Sequence, residues 1–275
     1  MSLRFRFAPR VGYMNGSLNE GNTLLGPVFS AVGQQDAENG TGTINLGSIV
    51  PVGDNVPNGY TPAAGVDAIT AQILDANGGA VSGSLVYWRD SKGEKWGGKS
   101  KQEYKGWYVP NGKTPADFSI TAGQALWVNI PAGFSCTLQS SGEVAIGDIY
   151  MQLNKGNTAV CNPIPVETNI QKILPFGIGG TEVPNGFTPA AGVDAITAQK
   201  LDPNGGAVSG SLVYWRDSKG EKWGGKSKQE YKGWYIPNGK TPADITVGPG
   251  EGLWVNSPVA TTALVFPSAW EKNAE

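Results

Sequence analysis

The sequence contains no histidine and only two cysteines, and these shortages exclude several kinds of functional site. Without histidine there is no Ser–His or Cys–His nucleophile, and no side chain has an ordinary pKa suited to proton transfer near pH 7. Cys136 and Cys161 cannot form a zinc site alone and are too few for a disulfide framework. Two buried thiols are favoured over a single bridge between them. The sequence predicts no cofactor and no metal site.

Charge is also scarce, at 16% of residues, and the net charge is −2. This balance argues against nucleic acid as a partner. No run approaches the roughly 18 apolar residues of a membrane span, and the N-terminus lacks the apolar segment of a secretory signal. We expect either a protein not exported by that route or a mature or engineered form without its signal.

Carboxylates are the remaining candidates for catalysis. Glycoside hydrolysis needs a pair of them, which could come from Asp67, Asp75, Asp90, Glu94 or Glu103. Nothing in their spacing selects a pair, and no glycine-rich phosphate-binding loop occurs between a strand and a helix. The sequence therefore predicts that the protein is not an enzyme.

Glycine and proline are plentiful, with 40 and 19 residues. They separate short β-rich runs, which predict strands at 11–18, 23–32, 44–50, 68–74, 83–89, 104–109, 124–130 and 136–144. A helical turn is expected only near residues 168–174, with a weaker counterpart near Ile44. The pattern predicts an all-β fold, a small antiparallel β-sandwich or barrel-like domain.

The fold occurs in two tandem copies. Residues 57–117 recur at 184–244 with four differences among 61 positions, and looser similarity extends on both sides. We assign residues 1–10 to an N-terminal arm, 11–144 to copy 1 and 145–275 to copy 2. Ile73 of copy 1 is replaced by Lys200 in copy 2. This exchange predicts that the side chain at this position lies in solvent and that the following residue, Leu74 or Leu201, faces the core.

Three motifs of copy 2 occur in a recognisable order: GNTAVCNPIPV followed by NIQKILP (156–175), YW…W (214–223) and GPGEGLWVN (248–256). With the matching hairpin at 120–144, they resemble a tandem-repeat all-β module of exported, functionally uncharacterised bacterial surface proteins. The resemblance implies a small β domain at the cell surface or in the extracellular space, and it transfers no catalytic residues. Copy 1 departs from it, with Gly26-Pro-Val-Phe opposite Cys161-Asn-Pro-Ile-Pro.

The most strongly charged segment is a basic arm at residues 89–105, repeated at 216–232, with six basic and three acidic side chains in each copy. One interpretation is a solvated hairpin kept soluble by its mixed charges. Others are head-to-tail self-association and binding of anionic glycans. The predicted ligand or interface residues are Trp96, Lys99, Lys101, Trp107, Trp223, Lys226, Lys228 and Trp234.

The tryptophans of these arms have two interpretations. Exposed, Trp96 and Trp223 would stack on sugars or anchor an interface. Alternatively, each folds back onto Trp88 or Trp107, or onto their equivalents in copy 2, as a small cluster. Trp127, Trp254 and the Tyr87-Trp88 pair are expected in the core or half in the core.

Together these features predict a non-enzymatic structural protein that self-associates into an extracellular assembly such as a filament, surface layer or particle coat. Its partners would be copies of itself, and residues 3–7 would dock on an edge strand of a neighbouring copy. The alternative is a carbohydrate-binding or adhesion module that uses the tryptophans and lysines of the basic arms.

Overall fold

A computed structural model describes residues 11–31, 42–57, 68–75, 77–89, 104–109, 114–145, 147–184, 195–201, 207–216, 231–236 and 241–268. These ranges contain strands, turns and three short 3₁₀ turns, and no α-helix, which confirms the all-β prediction. Over the same ranges, no helix has the length and apolar character needed to cross a membrane.

The described part of copy 1 contains ten strands: β1 (Val11–Leu18), β2 (Gly21–Leu25), β3 (Thr43–Asn45), β4 (Val50–Val52), β5 (Thr70–Ile73), β6 (Leu85–Trp88), β7 (Gly106–Tyr108), β8 (Ser119–Thr121), β9 (Leu126–Ile130) and β10 (Cys136–Glu143). They form a five-stranded sheet in the order β2-β9-β5-β6-β7 and a three-stranded sheet in the order β1-β10-β4. Strands β3 and β8 pair separately, and every pairing is antiparallel.

Copy 2 repeats this arrangement with β11 (Ile149–Leu153), β12 (Gly156–Cys161), β13 (Thr168–Asn169), β14 (Leu174–Gly177), β15 (Thr197–Lys200), β16 (Leu212–Trp215), β17 (Gly233–Tyr235), β18 (Thr246–Val247), β19 (Gly252–Ser257) and β20 (Thr262–Phe266). Its five-stranded sheet has the order β12-β19-β15-β16-β17, and its three-stranded sheet has the order β11-β20-β14. The same strand order therefore recurs along the chain.

The core of each copy lies between its two larger sheets. In copy 1, Leu126 and Val128 from the five-stranded sheet pack with Leu18 and Leu138 from the three-stranded sheet. Strand β9 alternates buried and half-buried residues, so its inward side chains build the core and the others lie on the opposite face. This two-layer packing is that of a small β-sandwich.

Short 3₁₀ turns occur near both positions where helical turns were predicted. A 3₁₀ turn occurs at Ile170–Lys172 and another at Leu46–Ser48, close to the predicted helical turn and its counterpart. An asparagine side chain caps each, since Asn169 accepts from the Gln171 N–H and Asn45 accepts from the Gly47 N–H.

The prediction for Ile73 is wrong. Ile73 is 2% exposed and belongs to the core of copy 1, and its replacement Lys200 is only half-buried. The Lys200 ammonium lies 2.8 Å from a carboxylate oxygen of Glu251, so the aliphatic stem occupies the strand position while the charge lies outside the core. Leu74 is buried but packs at the junction between the copies, and Leu201 is half-buried there.

Candidate functional site

Two of the predicted binding residues, Trp107 and Trp234, lie in the cores of the two copies. They are 4% and 0% exposed, and each indole N–H donates to a backbone carbonyl, that of Ile49 at 2.8 Å and that of Ile173 at 2.7 Å. Their rings pack on Tyr87 and Tyr214, with centroids 5.2 and 5.4 Å apart. These tryptophans anchor the sandwich and offer no ring face to a ligand.

The remaining predicted residues, Trp96, Lys99, Lys101, Trp223, Lys226 and Lys228, lie outside the described residues. So does the N-terminal arm at 1–10. The roles predicted for them stay predictions. Beside the basic arms, the described structure places two buried aromatic clusters, Trp88 with Tyr104 and Tyr108, and their equivalents Trp215, Tyr231 and Tyr235.

The two copies meet along their edge strands β2 and β12. Leu25 forms an isolated bridge with Glu251, and Val160 forms the equivalent bridge with Gln124. Two further hydrogen bonds cross the junction, from the Gly26 N–H to the Gly250 carbonyl (3.0 Å) and from the Cys161 N–H to the Gly123 carbonyl (2.9 Å). Each contact has its counterpart when the copies are exchanged, as in an isologous dimer with a two-fold axis.

Gly26 and Cys161 occupy equivalent positions and face each other across this axis. A Cβ atom on Gly26 would lie 2.6 Å from the Cys161 Cβ and 2.8 Å from the Gln124 carbonyl oxygen. Side chains at both positions would collide, so the copies can approach this closely only because one of them has glycine here. The departure of copy 1 from the sequence pattern of copy 2 thus has a packing reason.

The junction encloses a cleft of about 500 Å³ that both copies line. Its walls consist of four pairs of equivalent residues and two further residues, Leu24 and Gly78; the pairs are Gln72 and Gln199, Leu74 and Leu201, Ala80 and Ala207, and Trp127 and Trp254. None of the described residues that line it carries a charge. Its floor is apolar, because Leu24, Ala125, Ala159 and Cys161 form a buried cluster against which the two tryptophans pack.

Strand register places the tryptophans in this cleft. Trp127 lies between Leu24 and Gln72 on neighbouring strands, on the sheet face opposite the core. Trp254 lies in the same way between Ala159 and Gln199. Each five-stranded sheet therefore presents a half-buried tryptophan beside a half-buried glutamine amide. Among the described residues, neither indole N–H and neither glutamine amide has a hydrogen-bond partner, so these groups are available to a ligand.

Contacts between the copies hold one of these rings in place. Gly78 of copy 1 has a φ of +80°, and a Cβ atom there would lie 2.5 Å from Cη2 of Trp254 in copy 2. On the same turn, the Asn77 side-chain oxygen accepts a hydrogen bond from the Asn154 amide at 2.9 Å. The Asp75 carboxylate, which accepts from the Asn77 and Gly79 N–H groups, shapes this turn. The position of Trp254 therefore depends on copy 1.

A second, more polar pocket of about 270 Å³ shares Gln199 and Trp254 with the cleft. Asn157, Asn256, Thr197 and Ser211 complete its described lining, so uncharged hydroxyl and amide groups lie beside Trp254 there. The Asn256 amide donates to the Asn157 side-chain oxygen at 2.8 Å, and Asn129 donates to Asn22 in the same way in copy 1.

The outer face of the three-stranded sheet in copy 2 is a separate feature, which we call the outer apolar face. It exposes Tyr150 (44%), Leu174 (39%), Phe176 (50%) and the adjacent Ile178 (38%). The Tyr150 and Phe176 rings meet edge to face with centroids 5.5 Å apart. Register aligns Tyr150 and Leu174 with Val265, whereas the corresponding strands of copy 1 carry Asn15, Val50 and Gln139. Two of these positions are thus polar in copy 1 and apolar in copy 2, whereas Val50 and Val52 of copy 1 correspond to Leu174 and Phe176.

Both cysteines are buried free thiols. Burial raises the pKa of Cys136 to about 11 and raises that of Cys161 above its ordinary range. A nucleophilic cysteine needs a lowered pKa and solvent access, so these thiols have the properties of packing residues. Within the described ranges, no three acidic or cysteine side chains gather closely enough to hold a metal ion.

Sequence reasoning missed the cleft. It placed Trp127 and Trp254 in or half in the core, and the structure shows them half-buried at the junction. A signal was present in the alternation of Leu126, Val128 and Ile130, which puts the intervening tryptophan on the opposite face. No sequence pattern indicates that the two tryptophan-bearing faces meet. No family model, curated protein or solved structure matches the chain.

Proposed function

We propose that this chain is a non-enzymatic structural protein that self-associates into an extracellular or cell-surface assembly. The observation that carries the proposal is the outer apolar face of copy 2. Exposed apolar patches of sufficient size mark protein interfaces, and this face groups four large apolar side chains that are 38–50% exposed. Two aromatic rings, Tyr150 and Phe176, form its centre, and aromatic residues are enriched at protein interfaces.

Two further features support a second copy of this chain as the partner. Among the described residues, β11 and β14 are the outer strands of their sheet, so each has one backbone edge without a partner strand in that sheet. Such edges pair with strands of other chains when they are not blocked. The corresponding strands of copy 1 have Asn15 and Gln139 at the positions of Tyr150 and Val265, so the two copies differ in sequence there. Contacts between unlike surfaces generate rings or open filaments.

The surface location and the bacterial source in this proposal rest on the resemblance to exported tandem-repeat modules. Fractionation of the native host, with immunodetection on intact cells, tests the location. Signal confined to the cell interior would contradict it.

The assembly is tested by removing the outer apolar face. The Tyr150→Asn/Phe176→Thr variant replaces both exposed rings, and the matched control Val81→Thr/Val208→Thr removes two apolar side chains that are 57% exposed elsewhere. Light scattering after size exclusion and negative-stain images should show oligomers for wild type and control, and monomers for the face variant. A wild type that is monomeric at about 100 µM, or a face variant that assembles normally, would contradict the proposal.

The N-terminal arm needs its own variant because residues 1–10 lie outside the described structure. Deleting them should weaken assembly if residues 3–7 dock on a neighbouring edge strand. Oligomers of unchanged mass after the deletion would show that the arm has no role in assembly. The proposal would then rest on the outer apolar face alone.

A further inference from the structure

We propose that the cleft between the two copies is a binding site for a neutral saccharide. This site is distinct from the basic arms, for which sequence reasoning suggested anionic glycans, and it does not depend on self-association. Its volume of about 500 Å³ is within the range of small-molecule sites. Such sites combine an apolar, aromatic surface with a few convergent polar groups, and the cleft has both.

The absence of charge indicates the class of ligand. Every described residue that lines the cleft and the adjoining polar pocket is uncharged. A charged ligand would lose its hydration there without gaining an ionic partner, which is costly in a partly buried site. Amide side chains, by contrast, both donate and accept hydrogen bonds, as the hydroxyl groups of a sugar require. Gln72 and Gln199 supply these groups on opposite walls, and their amides have no other partner in the described structure.

The tryptophans provide the complementary surface. A pyranose ring has an apolar face formed by its C–H groups, and an indole ring offers a broad flat surface on which such a face packs. Trp127 and Trp254 are both half-buried in the cleft, which leaves part of each ring accessible. Gly78 and the Asn77–Asn154 hydrogen bond hold the Trp254 side of the cleft before a ligand arrives. A prepositioned ring loses little conformational freedom on binding.

The approximate two-fold symmetry of the cleft indicates a ligand with repeated sugar units. Because the cleft presents the same tryptophan–glutamine pair twice, it suits an oligosaccharide that offers similar sugar rings to both walls. The polar pocket with Asn256 continues the site beyond Trp254, so additional rings of the same chain would contact its amide and hydroxyl groups. We therefore infer a linear neutral oligosaccharide as the ligand.

The test uses the full chain with soluble neutral hexasaccharides of β-1,4-linked glucose, mannose and N-acetylglucosamine, and with an anionic hexasaccharide of galacturonic acid. Titration calorimetry and tryptophan fluorescence measure binding. We expect at least one neutral hexasaccharide to bind and to change the fluorescence. The Trp127→Ala/Trp254→Ala variant should bind about tenfold more weakly or worse, because it removes both stacking surfaces.

A second variant separates binding from folding. Gln72→Leu/Gln199→Leu keeps side chains of similar volume and removes only the amides, so the urea midpoint should stay near wild type while affinity falls about tenfold. The Tyr150→Asn/Phe176→Thr variant, which removes the outer apolar face, should bind normally. A wild-type protein that binds glycan but stays monomeric would therefore contradict only the assembly proposal. A protein that assembles but binds no neutral hexasaccharide would contradict only the proposed saccharide site.

Three results would overturn the saccharide site. One is the lack of binding to every neutral hexasaccharide at millimolar concentration. Another is binding that neither cleft variant weakens. The third is binding of the anionic hexasaccharide alone, lost at high salt, because this would transfer the function to the lysines of the basic arms.

Discussion

Replacing Gly78 with alanine tests the contact that positions Trp254. The new methyl group would lie 2.5 Å from Cη2 of the ring, on a residue whose φ is +80°. The left-handed backbone alone costs alanine about 1–2 kcal/mol, and forcing the ring away adds about 1–3 kcal/mol, as in overpacked cores. The total loss in the free energy of unfolding should be about 2–5 kcal/mol.

Gly83 in the same copy provides the matched control. Its φ is +66°, so alanine meets the same kind of backbone strain, but a Cβ atom there has open space within 4 Å. Gly83→Ala should therefore cost only about 1–2 kcal/mol. The difference between the two variants, about 1–3 kcal/mol, isolates the collision with Trp254 in the other copy.

Urea unfolding monitored by tryptophan fluorescence measures both losses, and a double-mutant cycle with Trp254→Ala assigns the difference to the ring. The cycle should give a coupling of about 1–3 kcal/mol, because a smaller residue at 254 leaves room for the methyl group. Equal losses for Gly78→Ala and Gly83→Ala, or a coupling near zero, would show that this turn of copy 1 does not contact Trp254 in solution.

Two other predictions concern ionisable groups. Burial raises the pKa of the Cys136 thiol from 9.0 to about 11, so the thiol loses its proton at lower pH in the unfolded chain than in the folded one. The free energy of unfolding should therefore fall as the pH rises from about 9 to about 11. Urea midpoints measured at pH 8 and 10.5 should fall less for Cys136→Ala than for wild type, and an identical fall would contradict the role of this thiol. Lys200→Ile should destabilise copy 2 by about 0.5–1 kcal/mol, because it leaves the Glu251 carboxylate without its cation. Adding Glu251→Gln recreates the Ile73 and Gln124 pair of copy 1 and should restore the urea midpoint. If the midpoint does not recover, the two positions are not coupled.

Much of the fold could be predicted because local signals and packing agree. Alternation of apolar residues between glycine-rich turns located the strands, including β1 with its observed bounds. The short strand β8 was missed, since three residues are too few for alternation to be visible. Ile73 was misplaced because lysine at the end of a strand can keep its stem in an apolar position while its ammonium reaches a carboxylate.

The candidate sites were predicted less well, for reasons that differ between them. Trp107 was predicted as a ligand or interface residue, whereas its strand directs the ring into the core. The cleft requires knowledge of how the copies meet, which depends on a few contacts at Leu25 and Val160. The outer apolar face could not be predicted because its residues lie on two separate strands, β11 and β14. Only the register of these strands with β20 brings the Tyr150 and Phe176 rings together.

The pairing of Gly26 with Cys161 on the axis has a consequence for how such a protein can evolve. In a dimer of separate identical chains, any substitution at an axial position appears on both sides at once. A cysteine there would meet a second cysteine, and the close approach seen here would be lost. Joining two copies in one chain removes this restriction, because each side can mutate alone. The same independence allows tyrosine at position 150 and asparagine at the equivalent position 15, a difference that identical separate subunits cannot have.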